Sequence, residues 1–344
     1  MGSRARLILV AEAGFGHVQA CSRSEFGPEG LAYRMGSAIT RSITTSRFLV
    51  LLLAGPVSAE TITVCADGCD HASINAAIVA ANDGDLIQLS AETYREGSVI
   101  DPLGKAIAIR GVVDDAGGPL TVLDGGGSHR VIQCLSGESG DTSFSRLLIR
   151  NGREVNGAGM YNLASSPALA DCVFAGNKCV ARGGAIYNQR ESSPTLVRVR
   201  IEGNQASSGG GVYNFERSSP ALTDCRLEGN SATTLGGGMA NWNDCNPILT
   251  RCAFVSNHSD ETTGGGGGGM YNLSSSPTLH SCSFLRNTAT NGAGIYSWGG
   301  ELKLADCTLT NNSAAYRGGA MRNESSQPTL DDCTLENNSA LFDG

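Results

Sequence analysis

The chain has 344 residues, 46 of them glycine, with 6% aromatic residues and a formal charge of −8 at neutral pH. That acidic balance lacks the basic footprint of a nucleic-acid binder and argues against anionic membrane surfaces as partners. Few aromatics with many Gly, Ser and Asn suit a solenoid with a narrow core rather than a globular enzyme.

Residues 1–34 show no periodicity. Met35 makes a more natural start, so 1–34 read as a non-native, unstructured upstream extension. From Met35 onward, Arg41 and Arg47 form a positive n-region and Phe48–Leu53 a short apolar core. Val57-Ser58-Ala59 is a cleavage signature, so 35–59 read as a secretory signal peptide. The apolar run is too short to cross a bilayer, and no transmembrane helix is expected. The product should be secreted or held at the cell outer membrane or envelope.

The mature chain opens with a strand carrying Ile62 and Val64. Ile74, Ala77, Ile78 and Ala81 then fall on one helical face, Gly84 stands where a helix stops, and Leu86–Leu89 resumes as strand. A helix here can cap the first coil of a solenoid and protect an open sheet edge. Cys65 and Cys69 flank a glycine in an exported chain, which favours a disulfide. Between Tyr94 and Arg150 degenerate coils follow at Lys105–Gly111, Leu120–Gly127 and Arg146–Gly152.

From there the chain is one sentence repeated. Asparagines recur at Asn151, Asn177, Asn204, Asn230, Asn257, Asn287, Asn312 and Asn338, at intervals of 26, 27, 26, 27, 30, 25 and 26. Each unit has three apolar beats. The first is a Gly-Gly run leading to Met160, Ile186, Val212, Met239, Met270, Ile295 or Met321. The second follows Ser-Ser-Pro or its variants, as at Leu169, Leu196 and Leu222. The third is C-x-[FL], as at Cys172/Phe174, Cys225/Leu227 and Cys252/Phe254. Cysteine and Phe/Leu stand two apart and share a strand face. Leu169 and Cys172 stand three apart, which requires a corner at Ala170-Asp171. Three strands and three corners per coil describe an all-β, right-handed parallel β-helix over 60–344. With about ten coils and an N-terminal capping helix, it makes a rod on the order of 50 Å long at ~4.8 Å per coil. A leucine-rich repeat shares the period, but Gly-Gly-Ala/Gly plus Ser-Ser-Pro opposes its helical half. Equivalent residues should stack coil on coil, with the corner asparagines in left-handed conformation passing amide hydrogen bonds along the stack. Asn338 plus six is Gly344, the first residue of another coil. The repeat domain is therefore expected to be truncated at its carboxyl end, with end-to-end self-association through the open coil.

The tetrads GGAI (Gly183–Ile186) and FAGN (Phe174–Asn177), with FVSN (Phe254–Asn257) and FLRN (Phe284–Asn287), resemble the repeats of the polymorphic outer-membrane protein repeat family. That family lies within the pectin-lyase-like right-handed parallel β-helix superfamily. The likeness covers nearly all of 60–344. It departs where Ile201, Leu227, Leu309 or Leu335 replaces Phe and where Gly or Met enters the GGAI tetrad. The resemblance implies a surface-exposed, adhesin-like passenger; the C-terminal barrel that anchors such passengers has no counterpart in the sequence.

Candidate chemistry is sparse. Tyr161, Tyr187, Tyr213, Tyr271 and Tyr296 each follow an inward aliphatic and should point outward, as a stripe on which a glycan could stack or as packing alone. The corner before each cysteine reads Asp171, Arg198, Asp224, Arg251, Ser281, Asp306, Asp332, predicting a salt-bridge ladder. Asp306 and Asp332 form a weak acidic pair about 5 Å apart that could share a proton or a cation. The cysteine column reads as buried thiols; Cys134, Cys179 and Cys245 fall outside it. No catalytic, cofactor or metal residue is assigned. The expected function is a non-enzymatic, exported surface protein in adhesion or structure, with a cell-surface glycan or protein as partner and no nucleic acid. The alternative, from the superfamily, is a polysaccharide-active enzyme of the pectate-lyase type, which would use Ca2+.

Overall fold

The computed structural model describes residues 59–260 and 266–342. The expected upstream extension (1–34) and the expected signal segment up to residue 58 lie outside them. The described chain is a right-handed parallel β-solenoid in which each coil has four short strands rather than three. One coil runs Ala168–Ala170 (sheet I), Val173–Ala175 (sheet II), Lys178–Arg182 (sheet III) and Ile186–Gln189 (sheet IV). Stacking builds sheets of 11, 10, 8 and 8 strands, all neighbours parallel; sheets I, II and IV stay in register, while strands of sheet III shift register at a bulge. The eleven strands of sheet I make about eleven coils, as the repeat count led one to expect.

Sheet III is the strand that the repeat pattern hides. Its segments, such as Gln205–Ser208 and Ser231–Leu235, carry no aliphatic column; their inward residues are Ala206, Ala232, Ser259, Ala289 and Ala314, all buried. The reason is space. After sheet III the chain doubles back through the glycine run, and the two backbones lie against each other. A Cβ placed on Gly210 would sit 2.4 Å from Ser231 O, and one on Gly237 2.3 Å from His258 O. Only glycine on one side and Ala or Ser on the other fit such a thin lobe.

The wider part of the section holds the core. Leu169, Leu196, Leu222 and Leu249 line sheet I, Phe174, Ile201, Leu227 and Phe254 line sheet II, and Met160, Ile186, Val212 and Met239 line sheet IV, all essentially inaccessible. The rings of Phe254 and Phe284 stack at 4.5 Å. The expected corner between sheets I and II is a single left-handed residue, with φ of 54° at Asp171, 52° at Arg198 and 55° at Asp224. Cys172, Cys225, Cys252, Cys282 and Cys307 follow it as free, buried thiols, and Val199 fills the same slot. Burial pushes the Cys172 thiol up to about 12, so it packs as a small neutral group.

At the next corner two expectations change. The left-handed residue is the one before the asparagine, for example Gly203, Gly229, Ser256 or Asn311. Pairing of Ala175 with Arg150 then sets Asn151 against Gly176, so the asparagine column starts at Asn177 and Asn151 stands one residue out of it. From Asn204 to Asn338 each side-chain Oδ1 accepts from the backbone N–H and the Nδ2 of the asparagine one coil earlier, and Asn177 Oδ1 accepts from Gly152 N–H. The pair of distances is 2.9 and 2.9 Å at Asn204 and 3.0 and 3.0 Å at Asn230. Nδ2 also donates to a carbonyl two coils back from its acceptor, as Asn230 does to Ile201 O. A second buried ladder, not foreseen, joins Asn162, Asn188, Asn214, Asn241 and Asn272 at 2.7–2.8 Å and ends on Ser297.

The three stray cysteines are substitutes in such columns. Cys134 pairs with Asn162 in the second ladder, which leaves Asn162 Oδ1 without a donor. Cys179 takes an alanine slot of sheet III, and Cys245 takes the slot of Ser192 and Ser218, where its N–H reaches Ser275 Oγ.

At the amino end, α1 (Ile74–Ala80) buries Ile74, Ala77 and Ile78 in the core beside the strands Thr61–Val64 and Leu86–Leu89. Both helix ends are held by later coils. Glu96 accepts from the N–H groups of Ile74 and Asn75, and Lys105 Nζ donates to the carbonyls of Ile78, Val79 and Ala81. Cys65 and Cys69 are joined in a disulfide in the loop before it. At the other end, Leu330 and Leu335 occupy core columns yet are 40% and 44% exposed in the last described coil.

Asn230→Ala removes one rung: it strands the N–H of Asn204, takes one acceptor from the Asn204 amide, and removes the Nδ2 donor from Asn257 Oδ1 and Ile201 O, leaving Asn257 Oδ1 only the backbone N–H of residue 230. The expected loss is about 3 kcal/mol, read from denaturant midpoints. Asn311→Gly, at an exposed left-handed corner one residue from the column, should shift stability by no more than about 0.5 kcal/mol. Equal effects would show that the ladder contributes no more than any corner.

Candidate functional site: the outer face of sheet IV

Sheet IV alternates sharply. Met160, Ile186 and Val212 point inward, and so do the ladder asparagines two residues on; Tyr161, Tyr187 and Tyr213 point out between them. The tyrosines are not a surface stripe. Tyr187, Tyr213, Tyr271 and Tyr296 are 1–4% exposed and form a second apolar cluster outside the core. Three things cover them. The glycine turn from sheet III crosses directly above: a Cβ on Gly157 would lie 3.0 Å from that of Tyr161 and 3.1 Å from that of Tyr187. Arginines lie over the rings, Arg130 at 4.8 Å from Tyr161, Arg182 at 5.5 Å from Tyr213 and Arg322 at 5.4 Å from Tyr296. The next outward column leans on them from the other side. The rings also hold one another, with centroids 5.1 Å apart for Tyr161–Tyr187 and 5.2 Å for Tyr271–Tyr296. Burial pushes Tyr187 and Tyr271 up to about 12 and raises Tyr213 and Tyr296 as well.

That next column is the accessible aromatic feature. Phe215, Trp242, Leu273 and Trp298 follow the tyrosine column by two residues and pair in register across four successive coils. The first three are partly exposed while packing on the tyrosine cluster, and Trp298 is 48% exposed. Three intervals of ~4.8 Å give a platform about 14 Å long. Phe215, Trp242 and Leu273 rest on the tyrosine cluster, whose column is interrupted by Ala240 in the coil of Trp242, which restricts the freedom of these three side chains. The signal was in the sequence: the residue after each Tyr-Asn or Ala-Asn pair reads Leu163, Gln189, Phe215, Trp242 and Leu273, and the same slot after Tyr-Ser holds Trp298.

The remaining candidates stand apart from this face. The corner ladder forms: Arg198 Nε lies 2.6 Å from Asp171 Oδ1 and Arg251 Nε 2.7 Å from Asp224 Oδ1. Hydrogen bonds from these guanidiniums hold both carboxyls below the usual range. All four groups are well exposed, so each pair adds little stability. Asp306 and Asp332 occupy successive left-handed corners. Asp306 turns back to His280 Nδ1 at 3.4 Å, and Asp332 makes no ion pair among the described residues. A neighbouring imidazole offers that carboxylate a partner which a second carboxylate does not. No cluster of three or more His, Cys, Asp or Glu stands within metal-ligating reach among the described residues. No helix among them is long and apolar enough to cross a membrane.

With parallel in-register sheets, left-handed corners and a buried asparagine ladder in place, a family model described as the right-handed β-helix region matches residues 171–342, half of the chain. The chain belongs to that right-handed β-helix family. Among solved structures it is similar to a pectate lyase, Pel9A, at 12% identity and a TM-score of 0.44, over 84% of this chain and 81% of that one. At that distance no activity transfers. No curated protein matches the sequence.

The buried tyrosines give the fold an alkaline limit. A tyrosine in the unfolded chain ionises near 10, whereas in the folded chain Tyr187 and Tyr271 stay neutral to about 12. Between those values the unfolded chain has released protons that the folded chain keeps, so stability falls as pH rises above about 10. Phenolate absorbance should appear together with loss of the β circular-dichroism signal. Gradual phenolate formation with the β signal intact would show open tyrosines.

Proposed function

We propose that this chain is an exported, surface-associated β-helix that binds an extended cell-surface glycan and carries out no chemistry on it. The observation that supports the reading is the in-register row Phe215, Trp242, Leu273 and Trp298, the first three packed on the tyrosine cluster. The C–H faces of sugar rings stack on aromatic faces, and a polymer with a repeat near the coil spacing can meet one ring after another along the rod. The family trait that matters is stiffness: a solenoid holds such rows at fixed spacing without any ordering on binding. A glycan-binding passenger of the polymorphic outer-membrane protein type, delivered by the segment at 35–59 to the cell envelope or beyond, fits these features.

Trp242→Ala with Trp298→Ala should weaken binding to responsive glycans on an array roughly 30-fold, corresponding to about 2 kcal/mol. The single Trp298→Ala variant should weaken binding as well while its thermal midpoint changes little, because Trp298 is half exposed. Unchanged glycan binding in the double variant would refute the stripe.

The non-enzymatic part is tested separately. Incubation with acidic polysaccharides, with and without Ca2+, should produce no unsaturated uronate absorbance. Calcium-dependent product would establish the lyase alternative.

A further inference from the structure

A second surface feature lies at the corner between sheets II and III in the early coils. A cleft of about 540 Å3 is lined by Arg95, Asp124, Arg153 and Lys178, with a floor of glycines that includes Gly126 and Gly152. Asp124 is buried at its base and fully engaged. Its carboxylate accepts from Gly126 N–H at 3.0 Å, Asn151 Nδ2 at 3.0 Å and Arg150 Nε at 3.1 Å, with Arg95 at 3.4 Å. Burial alone would raise its pKa; these donors outweigh burial and hold it below the usual carboxylate range. Asp124 is thus a fixed anion that orders two arginines and has no charge left to offer.

Arg153 and Lys178 are left uncompensated. They pair in register on adjacent strands of sheet III, so two cations stand one coil apart on the same face. Like charges directly opposite are destabilising. Neither makes an ion pair or side-chain hydrogen bond with any described residue, and both are exposed. Glu154, their acidic neighbour, alternates to the other face, where it accepts from Val155 N–H and its charge acts on Arg130. The contrast lies on the neighbouring sheet. Arg200 and Arg226 are also stacked in register, but each has its own glutamate, Glu202 and Glu228, at 2.6 Å. In a chain of net charge −8, a bare cationic pair at the mouth of a cleft is an exception that the fold tolerates at some cost.

We propose that this cleft binds a phosphate monoester dianion, with Arg153 and Lys178 as its principal ligands and Arg95 at its rim. Two uncompensated positive charges match a dianion better than the single charge of a carboxylate or a sulfate ester. A guanidinium beside an ammonium supplies a planar fork and a point charge for phosphate oxygens. The cleft volume exceeds that of the anion, leaving room for the sugar that carries it. The site shares no residue with the aromatic row and stands or falls independently of it.

The test is calorimetric titration of the full chain with glucose 6-phosphate, inorganic phosphate, glucose 6-sulfate and glucuronate. The sugar phosphate should bind at neutral pH and weaken as pH drops below about 6, where the dianion gains a proton. Lys178→Ala and Arg153→Gln should each reduce affinity at least about tenfold. The thermal midpoint of each variant without ligand should equal or exceed that of the parent, because a repulsion has been removed. Trp242→Ala should leave phosphate binding unchanged. Equal binding of inorganic phosphate and of the ester keeps the site and assigns it to free phosphate; tighter ester binding assigns it to a phosphorylated sugar. Glucuronate binding as tightly as the phosphate ester, no phosphate binding in the millimolar range, or full binding by both charge variants would overturn the proposal.

Discussion

Each asparagine rung from Asn177 to Asn338 joins one coil to the next through a carbonyl oxygen that takes two donors in the dry interior. Buried amide groups of this kind are costly when unpaired and satisfied only when equivalent residues of consecutive coils coincide. The ladder therefore enforces register, and register places every other column. Variation in repeat length has to be absorbed away from it. Asn204 reaches the inward Val212 after eight residues, whereas Asn257 needs thirteen to reach Met270, so the extra residues of the longest repeat fall between the strands His258–Ser259 and Met270–Leu273.

With register fixed, the section of the rod divides by side-chain size. Leu, Phe, Ile and Met columns hold three walls apart, and the Ala and Gly columns bring the fourth wall into contact with the returning chain. That thin lobe has an effect on the far side of sheet IV. It carries the glycine turns and arginines across the outward tyrosines and turns them into a second packed layer. The tyrosines then support Phe215, Trp242 and Leu273, which meet the solvent in their place. Stability and a binding surface are built from consecutive outward columns of one sheet.

The outer charges follow the same logic of neighbours. Where a carboxylate lies in the adjacent coil or two residues along the strand, an arginine is closed off, as Arg198, Arg251, Arg200 and Arg226 are. Among the described residues Arg153 and Lys178 have no such partner, and they stand where early, irregular coils leave a cleft beside Asp124. Irregularity at that end and uniformity further along give the two surfaces different characters: a pocket for a compact anion and a row for an extended chain.

The sequence by itself determined the coil. The 26-residue period, the C-x-[FL] pair with its three-residue offset from Leu169, and the recurring asparagine specified parallel stacking, the inward columns and the buried thiols, because alternation and periodicity are local properties of the backbone. It also showed the charge alternation of Asp171, Arg198, Asp224 and Arg251. It did not reveal sheet III, whose small residues leave no hydrophobic signature, nor the one-residue offset of Asn151, which only strand pairing exposes. The roles of Cys134, Cys179 and Cys245 likewise became clear only beside the residues they replace. Above all, period-two alternation says that Tyr187 and Tyr213 leave the core but not what lies over them. Their burial was decided by a glycine turn and an arginine brought across from another strand, and so was the choice of Trp242 and Trp298 as the exposed aromatics.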